Sequence, residues 1–278
     1  MSFSVVVVLH DSAPELRALL ASLDAHLPTR PQVIVVDSGS RDAGAQVARD
    51  AGAEVVVLDG NPGFGAANNA GLARARHDVT VLLNPDCVLL DAGLARLAQL
   101  AAQRDALVVP RLLNADGSLQ RSAHPVPGAP TAFLRAVLPT RTLPEPHRAP
   151  RPTEVGWAIG ACVAARTELL WRLGPFDPAA FLFYEDLELC LRARGAGVPT
   201  VLHPEIALRH TGGHSAGPAV ALKATRRREV VGAELGARAL AIDDAAQALT
   251  FLTRAAVGRR RAENAEELRA LRAARGSS

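Results

Sequence analysis

Two short stretches of this sequence combine acidic chemistry with a place where a ligand can reach it. In the first, an apolar run over residues 179–184 feeds into Glu185 and Asp186, after which Leu187, Cys190 and Leu191 fall on one helical face and Arg192 and Arg194 on the other. Acids at that point stand at a helix N-terminus, the end that favours a carboxylate. They can cap the helix or, as a general base, take a proton from a hydroxyl. The second stretch is Leu83-Asn84-Pro85-Asp86, where Pro85 stops a strand and leaves Asp86 just past its end. A carboxylate there can cap the next helix, or hold Mg²⁺ or Mn²⁺, ions that prefer oxygen ligands and share them with substrate phosphates. His210 is either a second ligand or a structural histidine.

The elements that must position these groups alternate. Residues 4–9 are a continuous β-branched run, as in a central parallel strand. Residues 14–27 carry helical spacing through Leu16, Leu19, Leu20 and Leu23. Strands follow at 32–36, 54–58 and 79–83, with helices at 43–51 and 66–75 between them. This pattern predicts an open, doubly wound, mostly parallel sheet with helices on both faces. Ligands of such sheets bind at the carboxyl ends of the strands, and His10, Asp37 and Asp86 all lie there. After a helix at 94–104 the rhythm changes. Residues 107–113 and 118–121 flank Asn114-Ala115-Asp116-Gly117, a hairpin turn. A Pro-rich segment, 125–152, holds only the apolar island 133–138. Strands are predicted at 157–165 and 198–202, a short helix near Leu169, and helices from 218 onward. Gly63, Gly65 and Gly71 surround a helix start, where backbone N–H groups can approach phosphate or ribose. The spacing is not a dinucleotide fingerprint.

Composition narrows the classes. With 278 residues and 49% hydrophobic content the chain can bury a large core. Its net charge of +3 is carried almost wholly by arginine, and aromatics are 4%, so a stacking platform for nucleic acid is not expected. Cys87, Cys162 and Cys190 form no CxxC pair and read as small buried hydrophobes rather than a disulfide or zinc framework. The run at 5–9 is too short for a membrane span and lacks a basic leader region, so it reads as a buried strand of a cytosolic protein.

The ordered set Val5–His10, Val35-Val36-Asp37-Ser38-Gly39-Ser40, Asn61-Pro62-Gly63-Phe64-Gly65-Ala66-Ala67-Asn68, Leu82-Leu83-Asn84-Pro85-Asp86, Gly160-Ala161-Cys162, Gly174-Pro175-Phe176-Asp177, Tyr184-Glu185-Asp186-Leu187-Glu188-Leu189 and His210-Thr211-Gly212-Gly213-His214-Ser215 resembles glycosyltransferase family 2, nearest its bacterial rhamnosyltransferase-like branch. The resemblance covers residues 4–215. It implies a GT-A fold and inverting transfer of a sugar from a nucleotide diphosphate. It implies that Leu9, His10, Asp37, Gly65, Asn68, Asn84 and Asp86 line the donor site, and that Asp86 and His210 hold Mg²⁺ or Mn²⁺. Asn84 stands where the family's D-x-D has its first acid, so metal binding is expected to be weaker or optional. Asp186 matches the base, with Glu185 beside it, and desolvation by Phe181, Phe183 and Tyr184 would raise its basicity.

The resemblance further implies a dTDP- or UDP-sugar donor and a hydroxyl acceptor on a glycan or lipid-linked carrier, in polysaccharide synthesis for the cell envelope. Two other classes fit parts of the sequence. A catalytically silent nucleotide-sugar-binding protein would explain Asn84. A nucleotidyltransferase would use a similar sheet, but needs a basic Gly-rich loop after the first strand, where His10-Asp11-Ser12-Ala13 stands. Trp157 reads as core or as a platform for an acceptor sugar, and Trp171 as core or pocket wall. The expected division is a sheet domain at 1–215, with donor half 1–105 and acceptor half 106–215, and a helical region at 216–278. There, Arg226-Arg227-Arg228 and Arg259-Arg260-Arg261 read as solvated helix faces, as a peripheral contact with anionic lipid, or as part of a homodimer contact.

Overall fold

The computed structural model describes residues 1–138, 143–174, 176–178, 180–212, 219–258 and 261–276. The chain forms two compact units, one of residues 1–123 and 147–212, the other of residues 124–146 and 213–278. The Pro-rich segment thus groups, over most of its length, with the C-terminal helices.

The first unit is built on a sheet with strands β1 (Ser4–Leu9), β2 (Gln32–Asp37), β3 (Glu54–Val57), β4 (Val79–Leu83), β5 (Cys87–Leu89), β6 (Leu107–Leu113), β8 (Thr153–Val155), β10 (Cys162–Arg166) and β11 (Thr200–His210). Two shorter strands, β7 (Ala123–His124) and β9 (Trp157–Ala158), lie outside it. Among the described residues the sheet order is β3-β2-β1-β4-β10-β6-β11-β5, with β8 paired to β11. The four strands β3, β2, β1 and β4 are mutually parallel. Beyond them the sheet is mixed: β10 runs antiparallel to both β4 and β6. Helices α1 (Ala13–His26), α2 (Gly44–Asp50), α3 (Phe64–Leu72) and α4 (Gly93–Gln103) are the crossovers, with α6 (Thr167–Leu173) and α7 (Glu185–Gly195) later.

Strands β1, β2 and β4 are largely apolar runs because both faces are covered, whereas the edge strand β3 leaves Val57 exposed. Every residue of β1 and β4 is buried. Leu16, Leu19 and Leu23 of α1 and Leu94 and Leu97 of α4 close one face with almost no exposure. Burying each such leucine contributes about 1.5–3 kcal/mol. The core of this unit therefore holds the carboxyl ends of β1, β2 and β4 in fixed relation.

Two predicted elements differ in form. The stretch 157–165 divides into β9 and β10 around a turn at residues 159–161. The strand expected at 198–202 is the start of a longer, eleven-residue strand, β11, whose register shifts between His203 and Ala207. Pro204 lies at that irregularity and has no N–H for the ladder. The turn at 114–117 forms, with Asn114 N–H on Ser118 O at 2.8 Å, but pairing beyond it is the single bridge Leu113–Leu119.

In the second unit, α5 (Thr131–Val137) accompanies α8 (Ala219–Ala256) and α9 (Arg261–Gly276). Gly236 (φ 81°, ψ 171°) breaks α8 into two helices. Arg227 grips Asp243 through two 2.8 Å bonds, Arg228 pairs with Asp244, and Arg226 pairs with Glu229 at 2.7 Å. Arg226-Arg227-Arg228 is therefore not a solvated cationic face: its charges are met by acids of the same unit. Arg259 and Arg260 lie outside the described residues, as do Gly213, His214 and Ser215.

Candidate active site

Strand β4 ends at Leu83, and the chain turns through Asn84-Pro85-Asp86 into β5. Pairing of β5 with β11 sets Cys87 opposite His210. That register brings His210 against Asp86, with Nε2 3.3 Å from Oδ1. The next residues return to the same acid: Thr211 N–H bonds to Asp86 O at 3.1 Å and Gly212 N–H to Asp86 Oδ2 at 2.9 Å. Burial works to raise the pKa of Asp86, but His210 and the Gly212 N–H together outweigh it, and the carboxyl sits below its usual range.

Gln120 fixes the histidine. Its Nε2 donates to His210 O (3.3 Å) and to Asn114 Oδ1 (3.2 Å), which leaves its Oε1 2.8 Å from His210 Nδ1. An amide oxygen only accepts, so Nδ1–H is the donor to Gln120 and Nε2 is the nitrogen turned toward Asp86, placed to donate to the carboxylate or to share a cation with it. An outer partner holding the far nitrogen is also how metal-binding histidines are oriented. Asn84 Oδ1 is buried without a hydrogen-bond partner among the described residues, a further oxygen acceptor on the same turn. Oxygen and imidazole donors of this kind fit Mg²⁺ or Mn²⁺. Cys87 is the third group within reach. Its thiol is fully buried, donates to Ala161 O (3.4 Å), and is pushed well above the ordinary range by burial; a soft sulfur ligand also suits Mg²⁺ or Mn²⁺ poorly.

The turn between β9 and β10 joins this acid to the other. Ala161 O accepts the N–H of Asn84 at 2.9 Å. Its neighbour Gly160 donates its N–H to Asp186 Oδ2, also at 2.9 Å. A Cβ on Gly160 would meet Asp186 Cβ at 3.2 Å, so a side chain here would press on the acid. The Gly160-Ala161-Cys162 motif thus acts through its main chain, where two consecutive backbone groups tie the Asp86 turn to Asp186.

Asp186 lies in the first turn of α7, with Glu185 and Glu188. Leu187, Leu189, Cys190 and Leu191 anchor the helix in the core. The chain enters it through Phe183 (φ 75°) and Tyr184 (φ 62°), two consecutive non-glycine residues in the left-handed region. Such residues cost of order 1–3 kcal/mol each and persist where the surroundings hold them. Tyr184 is held edge-on to Trp157 with ring centroids 6.1 Å apart. Glu185 and Asp186 border a small cavity of about 10 Å³, enough for about one water, with Phe64, Leu82, Phe176 and Leu189 on its walls. This apolar wall raises the Asp186 carboxyl above its ordinary range by desolvation, against the lowering effect of the Gly160 and Leu187 N–H groups.

That wall corrects one expectation. None of Phe181, Phe183 and Tyr184 lines the cavity, and Phe181 is half exposed; the aromatic walls are Phe64 and Phe176, far apart in sequence. Trp157 takes its core alternative, buried beside Tyr184. Three others change: Trp171 is exposed rather than core. Leu9 is fully buried and its carbonyl accepts the Ser38 N–H, so it shapes the strand end from within. Asn68 is buried and its amide returns to Phe64 O at 3.0 Å within its own helix.

The remaining donor-side residues gather at the strand ends. His10 is exposed, with Nδ1 2.7 Å from Ser38 O. Asp37 Oδ1 accepts the Ser40 N–H at 2.9 Å and shapes the turn. Ser38 Oγ donates to Asn61 Oδ1 at 3.0 Å, and the same oxygen accepts the Gly63 N–H, which pins the 61–65 loop over β2. Gly65 is backed by Phe176, whose Cβ a side chain there would meet at 2.9 Å. Sequence reasoning missed Gln120 and Asn69, whose partners are 90 and 107 residues away.

Residues 4–174 match the family described as Glycosyl transferase family 2. The N-acetylglucosaminyl-diphospho-decaprenol L-rhamnosyltransferase of Mycobacterium tuberculosis is 29% identical over 236 residues, which cover 77% of each chain. Among solved structures, GalNAc-T7 with UDP, GalNAc and Mn²⁺ superposes with a TM-score of 0.64 at 17% identity. That match covers 82% of this chain and 48% of the other, so the chain spans about half that protein's length. The mannosyltransferase PcManGT of Pyrobaculum calidifontis, in complex with GDP-Man and Mn²⁺, gives 0.58 at 16% identity over 100% of this chain and 75% of its own. At those identities the two structures speak for a shared GT-A fold. The family match extends over more than half the sequence and includes the Asp37 turn, the 61–65 loop, the Asp86 turn and the Gly160 turn, so the chain belongs to glycosyl transferase family 2 and is a glycosyltransferase.

Proposed function

We propose that this enzyme transfers a sugar, with inversion, from a nucleoside diphosphate to a hydroxyl of a lipid-linked glycan. The observation that carries the proposal is the backbone path Asn84–Ala161–Gly160–Asp186. It ties a carboxylate with a histidine at the strand ends to a desolvated carboxylate on a helix. Asp186 is the base. An acceptor hydroxyl is a weak nucleophile, and a carboxylate whose pKa is raised takes its proton more effectively as the oxygen attacks the anomeric carbon. The C–O bond to the nucleotide breaks as the new one forms on the opposite face, and the pair of electrons leaves with the diphosphate. Glu185 lies beside the base and borders the same cavity.

Asp86 and His210 are the residues that would hold Mg²⁺ or Mn²⁺, with Asn84 Oδ1 as a neutral acceptor nearby. A bound divalent ion would supply positive charge where the departing diphosphate gains negative charge. Asp37, Ser38 and Asn61 form the rim for the nucleoside, and His10 and Gly65 flank the diphosphate. Residues 1–105 serve the donor, and 106–215 the acceptor. The mycobacterial relative's name supports a lipid diphosphate acceptor and a deoxyhexose donor, which here favours dTDP-rhamnose over UDP-sugars. Three buried free cysteines suit the reducing cytosol. No described helix is long and apolar enough to cross a membrane, so any contact with a lipid-linked acceptor would be peripheral.

The test is a thermal-shift panel of dTDP, UDP and GDP, each with MgCl₂, MnCl₂ or EDTA, followed by transfer from the matching sugar nucleotide to a prenyl diphosphate-linked N-acetylglucosamine. A nucleotide at about 100 times its Kd should add roughly 2.7 kcal/mol. A selective shift abolished by EDTA, with transfer to the lipid-linked sugar, is expected. Absence of transfer despite a shift would sink the acceptor assignment, and absence of any shift the donor assignment.

A further inference from the structure

Helix α3 and the segment that leads to the catalytic pair are joined at several points. Asn69, on α3, makes a reciprocal pair with the main chain of Phe176: its Nδ2–H donates to Phe176 O at 2.8 Å and its Oδ1 accepts the Phe176 N–H at 2.9 Å. At the start of α3, Phe64 N–H donates to Phe181 O at 3.1 Å. Gly63 (φ 100°) makes room for that approach, since a Cβ there would lie 2.2 Å from Phe181 O. Gly65 does the same against Phe176. These contacts lock the helix start to the chain at Phe176 and at Phe181.

Each end of that joint leads to the site. Upstream, Asn61 Oδ1 ties the 61–65 loop to Ser38, beside Asp37. Downstream, Phe181 is two residues from the left-handed pair Phe183–Tyr184, which sets the entry of α7 and hence Glu185 and Asp186. Within the joint itself Asn69 contributes its side chain, and that one amide satisfies both main-chain polar groups of Phe176 at once.

We propose that Asn69 is a positioning residue that couples the donor-side loop to the catalytic pair, so that nucleotide seated against residues 37–40 and 61–65 stiffens the segment leading to Asp186. The coupling rests on the donor reading given above. It requires no contact between Asn69 and substrate. Loss of the amide frees Phe176, lets the left-handed pair relax, and shifts Asp186 relative to the acceptor hydroxyl. A displacement of about 1 Å at a reacting group can cost on the order of 100-fold in rate.

The experiment is hydrogen–deuterium exchange on the full chain with MnCl₂ and either UDP or dTDP, comparing the wild type with Asn69→Ala and Asn69→Asp. In the wild type, nucleotide should slow exchange several-fold over residues 37–40, 61–65 and 180–190. In Asn69→Ala, protection should persist at the first two and vanish at 180–190, while kcat falls by about 100-fold with donor KM unchanged. Asn69→Asp keeps the acceptor for Phe176 N–H but at neutral pH has no donor for its carbonyl, so it should lie between the two. Protection at 180–190 that survives in Asn69→Ala overturns the coupling. Faster exchange throughout β1 and β4 in both variants also overturns it, by making Asn69 a structural staple. A wild type with no nucleotide protection at 37–40 or 61–65 overturns the donor reading, and the coupling with it.

Discussion

Asp86 and Asp186 stand at the two ends of one short hydrogen-bonded path, and their surroundings push them in opposite directions. Asp86 is partly desolvated but faces His210 and receives the Gly212 N–H, and its pKa falls. Asp186 also receives two N–H groups, yet its apolar wall prevails and its pKa rises. The difference does not come from hydrogen-bond count. It comes from the presence of a neighbouring group able to carry positive charge at one end and of Phe64 and Phe176 at the other. Carboxylates separated this way take different work: one stays ionised for a cation, the other can receive a proton.

The largest break in that comparison comes from removing the proton acceptor. Asp186→Asn should lower transfer by roughly 10²–10⁴-fold while nucleotide affinity, read by calorimetry, stays unchanged. Equal loss of both would place Asp186 in the donor site instead. Asp86→Asn should be smaller in rate, about 10²–10³-fold as for loss of one charge-stabilising group, but it should abolish the difference between MnCl₂ and EDTA in nucleotide binding. A metal response that survives Asp86→Asn would move the ion elsewhere. Gln120→Leu sharpens the same point without touching a ligand. Loss of an outer partner typically costs about 10–100-fold in metal affinity, and titration of Mn²⁺ should show it with the fold intact. An unchanged titration would mean that the His210 ring needs no such orientation.

How much of the fold and site is legible in the sequence follows the range of the interactions. The strands and crossovers of the parallel half are readable because burial on both faces leaves a local signature, from Val5 to Leu9 and from Val79 to Leu83. Asp86, His210 and Asp186 can be named because strand ends and helix starts are local too. What joins them cannot. The Gly160 amide and the Ala161 carbonyl carry no side-chain signal, and Gln120 and Asn69 work through partners 90 and 107 residues distant. The same limit explains the aromatic error: Phe181 is close in sequence to the catalytic pair but half exposed, whereas Phe64 reaches the cavity from a distant part of the chain. Arg227 and Arg228 mislead for a related reason, since their acidic partners Asp243 and Asp244 lie beyond the break at Gly236.

The smallest effect bears most directly on whether Asp186 is a base or merely a cap. A carboxyl held above its ordinary range binds its proton more tightly in the folded chain than in the unfolded one. It therefore contributes stability that is fully present below the unfolded value, about 3.9 for aspartate, and lost as pH rises through the folded value. Asp186→Asn removes that loss, because the neutral amide has no charge to desolvate. Its oxygen can keep the Gly160 N–H, while the contact with the Leu187 N–H is weakened, a cost that does not vary with pH. The Tm of the variant minus that of the wild type should therefore grow more positive as pH rises from about 4 through the folded value. Over the same range the rate of the wild type should climb along an acid limb displaced above the ordinary aspartate range. A helix cap would give the opposite stability trend: a carboxylate stabilised by N–H groups has a lowered pKa, and the variant would fall further behind as pH rises. The sign of one slope thus separates the two uses of an acid at the start of α7.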